Sequence, residues 1–206
     1  MKVNSYLALG DSITAGYGVE SPFSFPSLYA AFLRRHNPDL QMLNCGINGL
    51  STGGLVDLLQ TNHRLRQSVS QASLITLTIG SNDLLDLIRN PNQRMSVSLK
   101  PIFCSMDSNL MKIGDMLRRL NPRATVKVAT LYNPRLVGPY GQYCEQVKMV
   151  LDNANEMIVS WSKRYGAVPV YINREFRGKE HLLIGQDYLH PNAAGYKVMA
   201  KAFARY

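Results

Sequence analysis

The sequence is poor in cysteine and has no long apolar run. It contains three cysteines, Cys45, Cys104 and Cys144, and none of them has the C-x-x-C spacing of a metal or redox site. We therefore expect no disulfide framework. No apolar run approaches the roughly 18 residues of a membrane span, and residues 6–9 (YLAL) are too short for a signal-peptide core. We expect a cytoplasmic protein with no integral membrane segment, or an extracellular one if an export signal was trimmed.

Acidic residues are also few. Asp and Glu number 14 against 23 Lys and Arg, which gives a formal net charge of +9 at pH 7. An excess of this kind favours anionic partners, but its densest groups stand where helices would expose their solvent faces or carboxyl ends. We predict solvated helix surfaces and no nucleic-acid partner. The groups are Arg34-Arg35, Arg64 with Arg66, and Arg118-Arg119 with Arg123.

Five short aliphatic or β-branched segments alternate with longer segments of helical period. This alternation predicts an α/β fold with a parallel sheet and crossover helices. Pro169 cannot donate a ladder hydrogen bond, so the last strand should lie at a sheet edge, which suits the flavodoxin-like order 2-1-3-4-5. No linker or repeat divides the chain, and residues 1–206 are expected to form a single domain. The predicted strands are Val3–Leu9, Leu40–Asn44, Leu74–Ile79, Thr125–Leu131 and Val168–Ile172.

Five helices are predicted around this sheet. In the third, apolar residues recur at steps of three and four, which indicates a stripe facing the core. The first and third should end at the Asn-Pro pairs 37–38 and 121–122, because a residue before proline resists the α conformation. The five begin at Pro26, after Ser51-Thr52 (continuing to Val69), near Pro101, near Gln142 and at Pro191.

A serine follows the first predicted strand directly. In a sheet of this order, ligands bind beyond the carboxyl ends of the strands, near the reversal between strands one and three. Residues 10–14 (GDSIT) would place Ser12 there, on a strand-to-helix turn, as a candidate nucleophile. The same residue types also form ordinary turns and helix caps. The segment does not match the G-x-S-x-G elbow of α/β-hydrolases.

One of the four histidines lies in a setting suited to a general base. A serine hydroxyl requires such a base at neutral pH. In residues 187–191 (DYLHP), Asp187 can turn back to accept a hydrogen bond from Nδ1 of His190, which leaves Nε2 free for Ser12. D-x-x-H-P alone also occurs as a helix cap. We predict surface or helix-end positions for His36 and His63 and a surface position for His181.

Two further turns carry candidate donors for an oxyanion hole. Asn82 lies in residues 79–83 (IGSND), after the third strand, and Gly49 lies in residues 44–49 (NCGING), after the second. With the backbone N–H of Ser12, they would stabilise the tetrahedral intermediate of acyl transfer. Each of them taken singly is more typical of a simple turn.

Together these four segments resemble the sequence blocks of the SGNH, or GDSL-type, hydrolase superfamily, and the match extends over nearly the whole chain. The four blocks are residues 10–14, 44–49, 79–83 and 187–191. The resemblance implies that Ser12 is the nucleophile, that Gly49 and Asn82 are oxyanion donors, and that Asp187 and His190 complete the triad. It also implies a three-layer α/β/α fold, no cofactor or metal, and hydrolysis of esters or thioesters. Ile13 replaces the leucine of the family name, a change of similar volume. Residues 131–134 (LYNP) are similar to bacterial GDSL esterases.

We therefore expect a hydrolase of small carboxylic esters with short to medium acyl groups. A carbohydrate O-deacetylase and a lysophospholipase or thioesterase remain alternatives, since they use the same chemistry. A non-catalytic binding module is a rival that the retention of all four blocks disfavours, and no glycine-rich phosphate loop supports flavin or nucleotide binding. The sequence indicates no oligomeric state. We expect Leu84 and Leu85 to line the acyl site and residues 133–141 and 173–186 to rim it.

Overall fold

A five-stranded parallel sheet forms the centre of the computed structural model, which describes residues 4–89 and 99–206. The strand order is β2-β1-β3-β4-β5 and every pairing is parallel, which confirms the predicted order and the edge position of Pro169. Val3, the first residue of the predicted first strand, lies outside the described residues. The strands are β1 Ser5–Gly10, β2 Gln41–Gly46, β3 Leu74–Thr78, β4 Thr125–Ala129 and β5 Val168–Val170.

Helices cover both faces of the sheet and form the predicted three layers. Short 3-10 turns occupy Ser21–Phe23 and Gly138–Tyr143. No helix in the described residues is long and apolar enough to span a membrane. The helices are α1 Ser12–Ala15, α2 Phe25–Arg34, α3 Thr52–Thr61, α4 His63–Gln71, α5 Ser81–Arg89, α6 Lys100–Leu120, α7 Cys144–Arg164, α8 Ile172–Phe176, α9 Glu180–Leu183 and α10 Ala193–Arg205.

Alternate residues of β1 supply two separate cores, because successive side chains of a strand point to opposite faces. Leu7 and Leu9 pack with residues of α3, α4, α6 and α7 on one face. Tyr6 and Ala8 pack with residues of α2 and α10 on the other, where the rings of Phe25 and Phe203 stack 4.9 Å apart. The continuous burial of β1 and β3 fits central strands that are covered on both sides.

The predicted second helix is two helices. The continuous helix from Ser51-Thr52 to Val69 was wrong at Asn62, where the backbone leaves the helical region with φ −86° and ψ 101°. The Asn62 side chain accepts a hydrogen bond from the Leu65 N–H at 3.0 Å and so caps α4. Asparagine favours such caps over helix interiors because its side chain competes for backbone groups. Leu59 and Leu65, on either side of the break, are still buried in the same core.

Pro191 does not open the last helix, contrary to the prediction. It forms an isolated antiparallel bridge with Ile184. Asn192 caps α10 instead, and its side chain accepts a hydrogen bond from the Gly195 N–H at 3.0 Å. His190 is therefore held in a short loop between this bridge and Asp187, not on the first turn of a helix.

The basic groups mostly occupy the exposed positions that were predicted for them, with Arg66 and Arg118 as exceptions. Arg118 is half-buried, and its guanidinium donates to the carbonyls of Tyr165, Ala124 and Gly166 at 2.7, 2.8 and 3.0 Å. Arg66 is also half-buried and donates to the Leu59 carbonyl at 3.4 Å. Arg66 thus reaches the last turn of the preceding helix α3, whereas Arg118 reaches the carboxyl end of α7, which is remote in sequence.

Candidate active site

Ser12 is the first residue of α1, directly beyond the carboxyl end of β1. The preceding turn requires glycine, because Gly10 has φ 149° and a Cβ at this position would lie 2.2 Å from the Thr78 carbonyl oxygen. The Asp11 side chain caps α1 by accepting a hydrogen bond from the Ile13 N–H at 3.0 Å. The local sequence therefore turns the chain sharply and holds Ser12 beyond the carboxyl ends of the central strands β1 and β3.

Asp11 is a buried carboxylate with three donors around it. Besides Ile13, the hydroxyls of Thr78 and Ser81 donate to it, both at 2.8 Å. Burial raises the pKa of Asp11, while these hydrogen bonds oppose the increase. Asp11 thus joins the ends of β1 and β3 beside Ser12, a role that the sequence analysis did not assign to it.

The structure brings Ser12, His190 and Asp187 into one chain of hydrogen bonds. The Ser12 Oγ lies 2.9 Å from Nε2 of His190, and Nδ1 of the same ring lies 2.6 Å from Oδ2 of Asp187. The His190 side chain is 14% exposed and that of Asp187 is 40% exposed. This is the geometry of a nucleophile, a base and an orienting carboxylate.

Asp187 also organises the loop that carries His190. Its Oδ1 accepts hydrogen bonds from the backbone N–H groups of Leu189 and His190 at 3.1 and 3.0 Å. Burial opposes its ionisation, but the hydrogen bonds from His190 and from these N–H groups outweigh burial and lower the pKa of Asp187. The carboxylate therefore holds the imidazole and its backbone at once.

Gly49 and Asn82 lie beside Ser12 on the lining of one cavity. Gly49 has φ 78° and no atom within 4 Å of a would-be Cβ, so a ligand can approach its backbone. The Asn82 Nδ2 donates to the Leu50 carbonyl at 3.0 Å. Because an amide nitrogen carries two hydrogens, this bond leaves one N–H of Asn82 for a ligand.

Asp83 ties the Asn82 turn to the start of α3. Its carboxylate accepts hydrogen bonds from the backbone N–H and the hydroxyl of Thr52, at 2.9 and 2.5 Å. Thr52 in turn accepts one from the Asn109 side chain at 3.1 Å. The sequence showed Asp83 next to Asn82 but assigned it no role, because its partner lies 31 positions upstream.

The cavity has a polar end and a larger apolar part. Its volume is about 280 Å³. Ser12, Asn82 and His190 line the polar end, and the apolar lining includes Leu85 and Pro134, both of which the sequence analysis placed at the acyl site or its rim. The other lining residues are Asp11, Ile13, Tyr17, Asn48, Gly49, Thr78, Ile79, Ser81, Ala129, Thr130, Leu131, Tyr132, Leu151, Leu189 and Met199.

Two predictions about the lining were wrong. Leu84 is fully buried in the core, because adjacent residues of a helix point in different directions and Leu85 takes the position facing the cavity. No residue of the segment 173–186, all of which the structure describes, lines the cavity. Phe176 and Leu183 of this segment pack into the core against α10 instead.

Two tyrosines near His190 make contacts that the sequence analysis missed. The Tyr132 hydroxyl donates to the Leu189 carbonyl at 2.8 Å, one residue before His190. The Tyr17 ring lines the cavity, and its centroid lies 4.3 Å from that of His190. Their contacts span 57 and more positions of sequence, so no local pattern could indicate them.

The remaining histidines and the cysteines lie away from this chain of hydrogen bonds. His36, His63 and His181 are exposed, as predicted. The three cysteines are free. Within residues 4–89 and 99–206, no group of three or more His, Cys, Asp or Glu side chains is placed to hold a metal ion. That the protein needs no cofactor stays a prediction.

Comparisons with known proteins agree with the fold and the blocks. The model of the GDSL-like Lipase/Acylhydrolase family matches residues 8–198. The spore germination lipase LipC of Bacillus licheniformis is 25% identical over 216 residues, which cover 95% of this chain and 92% of LipC.

Solved structures give the same result for the fold. The lipase Lip_vut3 from a goat rumen metagenome has a TM-score of 0.83 at 22% identity, with 98% of this chain and 96% of that one covered. The acetylxylan esterase Axe2 of Geobacillus stearothermophilus has a TM-score of 0.71 at 18% identity, with 100% and 95% covered. Since the family model spans most of the sequence, the chain belongs to the GDSL-like lipase/acylhydrolase family and is a carboxylic ester hydrolase.

Proposed function

We propose that the protein hydrolyses small esters through an acyl-enzyme on Ser12, with His190 as general base and Asp187 orienting the imidazole. The observation that carries this proposal is the continuous chain of hydrogen bonds at 2.9 and 2.6 Å from Ser12 through His190 to Asp187. An exposed serine without such a base is a poor nucleophile at neutral pH.

The reaction would proceed in two steps. Ser12 attacks the ester carbonyl while Nε2 of His190 takes the hydroxyl proton, and the same nitrogen then protonates the departing alcohol. Water, activated by His190, releases the acid in the second step. The negative oxygen of each tetrahedral intermediate would accept hydrogen bonds from the backbone N–H groups of Ser12 and Gly49 and from the Asn82 side chain.

The size of the cavity supports short to medium acyl groups. Its volume of about 280 Å³ lies at the small end of the roughly 300–1,000 Å³ of small-molecule sites, and the reacting ester group takes up part of that space. Ile79, Leu131 and Leu151 make its inner lining apolar, which suits a hydrocarbon chain. A panel of p-nitrophenyl esters should show its highest kcat/KM at short or medium chain length.

Labelling with a fluorophosphonate tests the assignment of Ser12. This reagent phosphonylates a serine that is activated by a base, so the wild type should be labelled on Ser12 and lose esterase activity in parallel. Ser12→Ala should be neither labelled nor active. Ser70→Ala removes an exposed helix serine and serves as the control that keeps both properties.

The same experiment separates the enzyme from its rival, a binding module. A folded wild-type protein that is not labelled and hydrolyses no ester of the panel would contradict the proposed mechanism. Adding an acylated sugar, a lysophospholipid and an acyl thioester to the panel would distinguish the alternatives that share this chemistry.

A further inference from the structure

Tyr17 places a half-exposed aromatic ring against His190. The residue is 47% exposed, and it lines the cavity beside Ser12 and His190. The two ring centroids are 4.3 Å apart and the ring planes are inclined by 36°. A large aromatic side chain exposed at the mouth of a site offers contact area that a ligand can cover.

The backbone of Tyr17 is held firmly although its ring is exposed. Its N–H donates to the Ser12 carbonyl at 3.0 Å, and its own carbonyl accepts a hydrogen bond from the buried Tyr196 hydroxyl at 2.9 Å. The glycines on either side, Gly16 and Gly18, have φ 83° and 84°. The turn therefore fixes the backbone of Tyr17 between the helix that begins at Ser12 and the C-terminal helix α10.

The chemistry of the proposed reaction defines which half of an ester lies near this ring. The departing alcohol must receive its proton from Nε2 of His190, so its oxygen has to lie within hydrogen-bonding distance of that atom. The carbonyl oxygen is directed to Gly49 and Asn82 instead. An alcohol group that extends past the imidazole comes next to the Tyr17 ring, which packs on His190.

We infer that Tyr17 forms a leaving-group subsite that favours alcohols with a ring, whose face or edge packs on the tyrosine. The inference rests on the proposed function of Ser12 and His190. A phenol and a pyranose sugar both offer such a surface, whereas a short linear alcohol does not. Tyr17 therefore distinguishes substrates by the alcohol, and the apolar cavity distinguishes them by the acyl group.

Three butyrate esters test this inference: ethyl butyrate, phenyl butyrate and a monobutyrylated methyl pyranoside. All three form the same butyryl-enzyme, so differences in kcat/KM report acylation alone, the step in which the alcohol is present. Tyr17→Ala should lower kcat/KM for one or both ring esters about three- to tenfold more than for ethyl butyrate. Tyr17→Phe keeps the ring and should retain the wild-type ratios.

Phe23→Ala is the matched control, because Phe23 is similarly exposed at 50% but does not line the cavity. This substitution should leave kcat/KM for all three esters unchanged. If kcat/KM falls for only one of the two ring esters, that ester shows whether the subsite favours an aromatic alcohol or a sugar. An equal loss with all three esters would overturn the inference and show that Tyr17 only supports His190. In that case Ser12-dependent turnover of ethyl butyrate would leave the proposed function intact.

Discussion

At the scale of single residues, the triad is supported unequally. Ser12 makes one contact within the chain of hydrogen bonds and the His190 ring makes two, whereas Asp187 binds the imidazole and two backbone N–H groups. Its side chain is also 40% exposed, so water can reach part of the space that it occupies. The carboxylate therefore acts mainly on the position of His190.

Asp187→Asn should accordingly retain more activity than Ser12→Ala or His190→Ala. The last two remove the proposed nucleophile or the proposed base, and each should lower kcat by about 10⁶, while the loss in Asp187→Asn should be roughly a hundredfold smaller. Steady-state kinetics on one p-nitrophenyl ester measures all three. Equal losses would show that the carboxylate is as indispensable as the other two groups.

Asp11 should give the fold a specific pH dependence. Because burial raises its pKa in the folded state, the folded protein binds its proton more tightly than the unfolded chain does. Its contribution to stability is present at low pH and is lost as pH rises through the raised pKa. Relative to Asp11→Asn, the free energy of unfolding of the wild type should fall as the pH rises above about 4, the ordinary pKa of an aspartate.

Urea denaturation of both proteins at several pH values measures this difference. Asp39→Asn, at an exposed position, is the control and should show no such trend relative to the wild type. A difference between the wild type and Asp11→Asn that is constant with pH would refute the assigned role of the Asp11 carboxylate.

At the scale of elements, the loop that carries His190 is held by the segment after β4. The Arg135 N–H donates to the Tyr188 carbonyl at 2.9 Å, and the Arg135 guanidinium lies 5.3 Å from the centroid of the Tyr188 ring. Tyr188 has φ 62°, the one non-glycine residue with positive φ in the described parts of the chain. Strain of this kind persists where surrounding contacts impose it.

Replacing Tyr188 should show the cost of this conformation. Tyr188→Gly and Tyr188→Ile both lose the ring beside Arg135, but glycine accepts a positive φ and a β-branched residue does not. Tyr188→Ile should be less stable than Tyr188→Gly by about 1–3 kcal/mol and should lose more kcat, because His190 is displaced. Thermal unfolding and ester hydrolysis measure the two effects, and equal values for both variants would exclude strain at this position.

At the scale of the whole molecule, the site depends on how α7 packs against the end of β4. The Asn155 side chain accepts a hydrogen bond from the Leu131 N–H at 2.6 Å and donates to the Leu131 carbonyl at 2.9 Å. Both residues are buried, and Leu131 lines the cavity. One amide therefore links a helix on the face of the sheet to the chain segment that shapes the site.

Asn155→Ala should leave both backbone groups of Leu131 without a partner. Each such loss costs about 1–3 kcal/mol, so the free energy of unfolding should fall by about 2–6 kcal/mol. Asn153→Ala, an exposed neighbour on the same helix, should change it by less than about 0.5 kcal/mol. Chemical denaturation compares them, and similar values for the two variants would contradict the assigned role of Asn155.

Local patterns along the sequence were sufficient for the fold class, the strand order and the residues after each strand. Alternating strand and helix periods specify a parallel sheet, and Pro169 specifies one of its edges, because both follow from properties of the chain that act over short distances. Glycine, aspartate and serine at residues 10–12 specify a turn for the same reason. The family blocks could therefore be found without coordinates.

The tertiary structure decided which groups meet. Ser12 and His190 are 178 positions apart, and their 2.9 Å contact results from the parallel sheet and the packing of α10. The break at Asn62 and the bridge of Pro191 involve partners only three and seven positions away, so the predicted helical period concealed a local signal there. The burial of Leu84 instead of Leu85 depends on the packing of α5 against a core whose residues are remote in sequence. The ring of Tyr17 against His190 is of the same kind, because short-range propensity cannot encode a contact between the two ends of the chain.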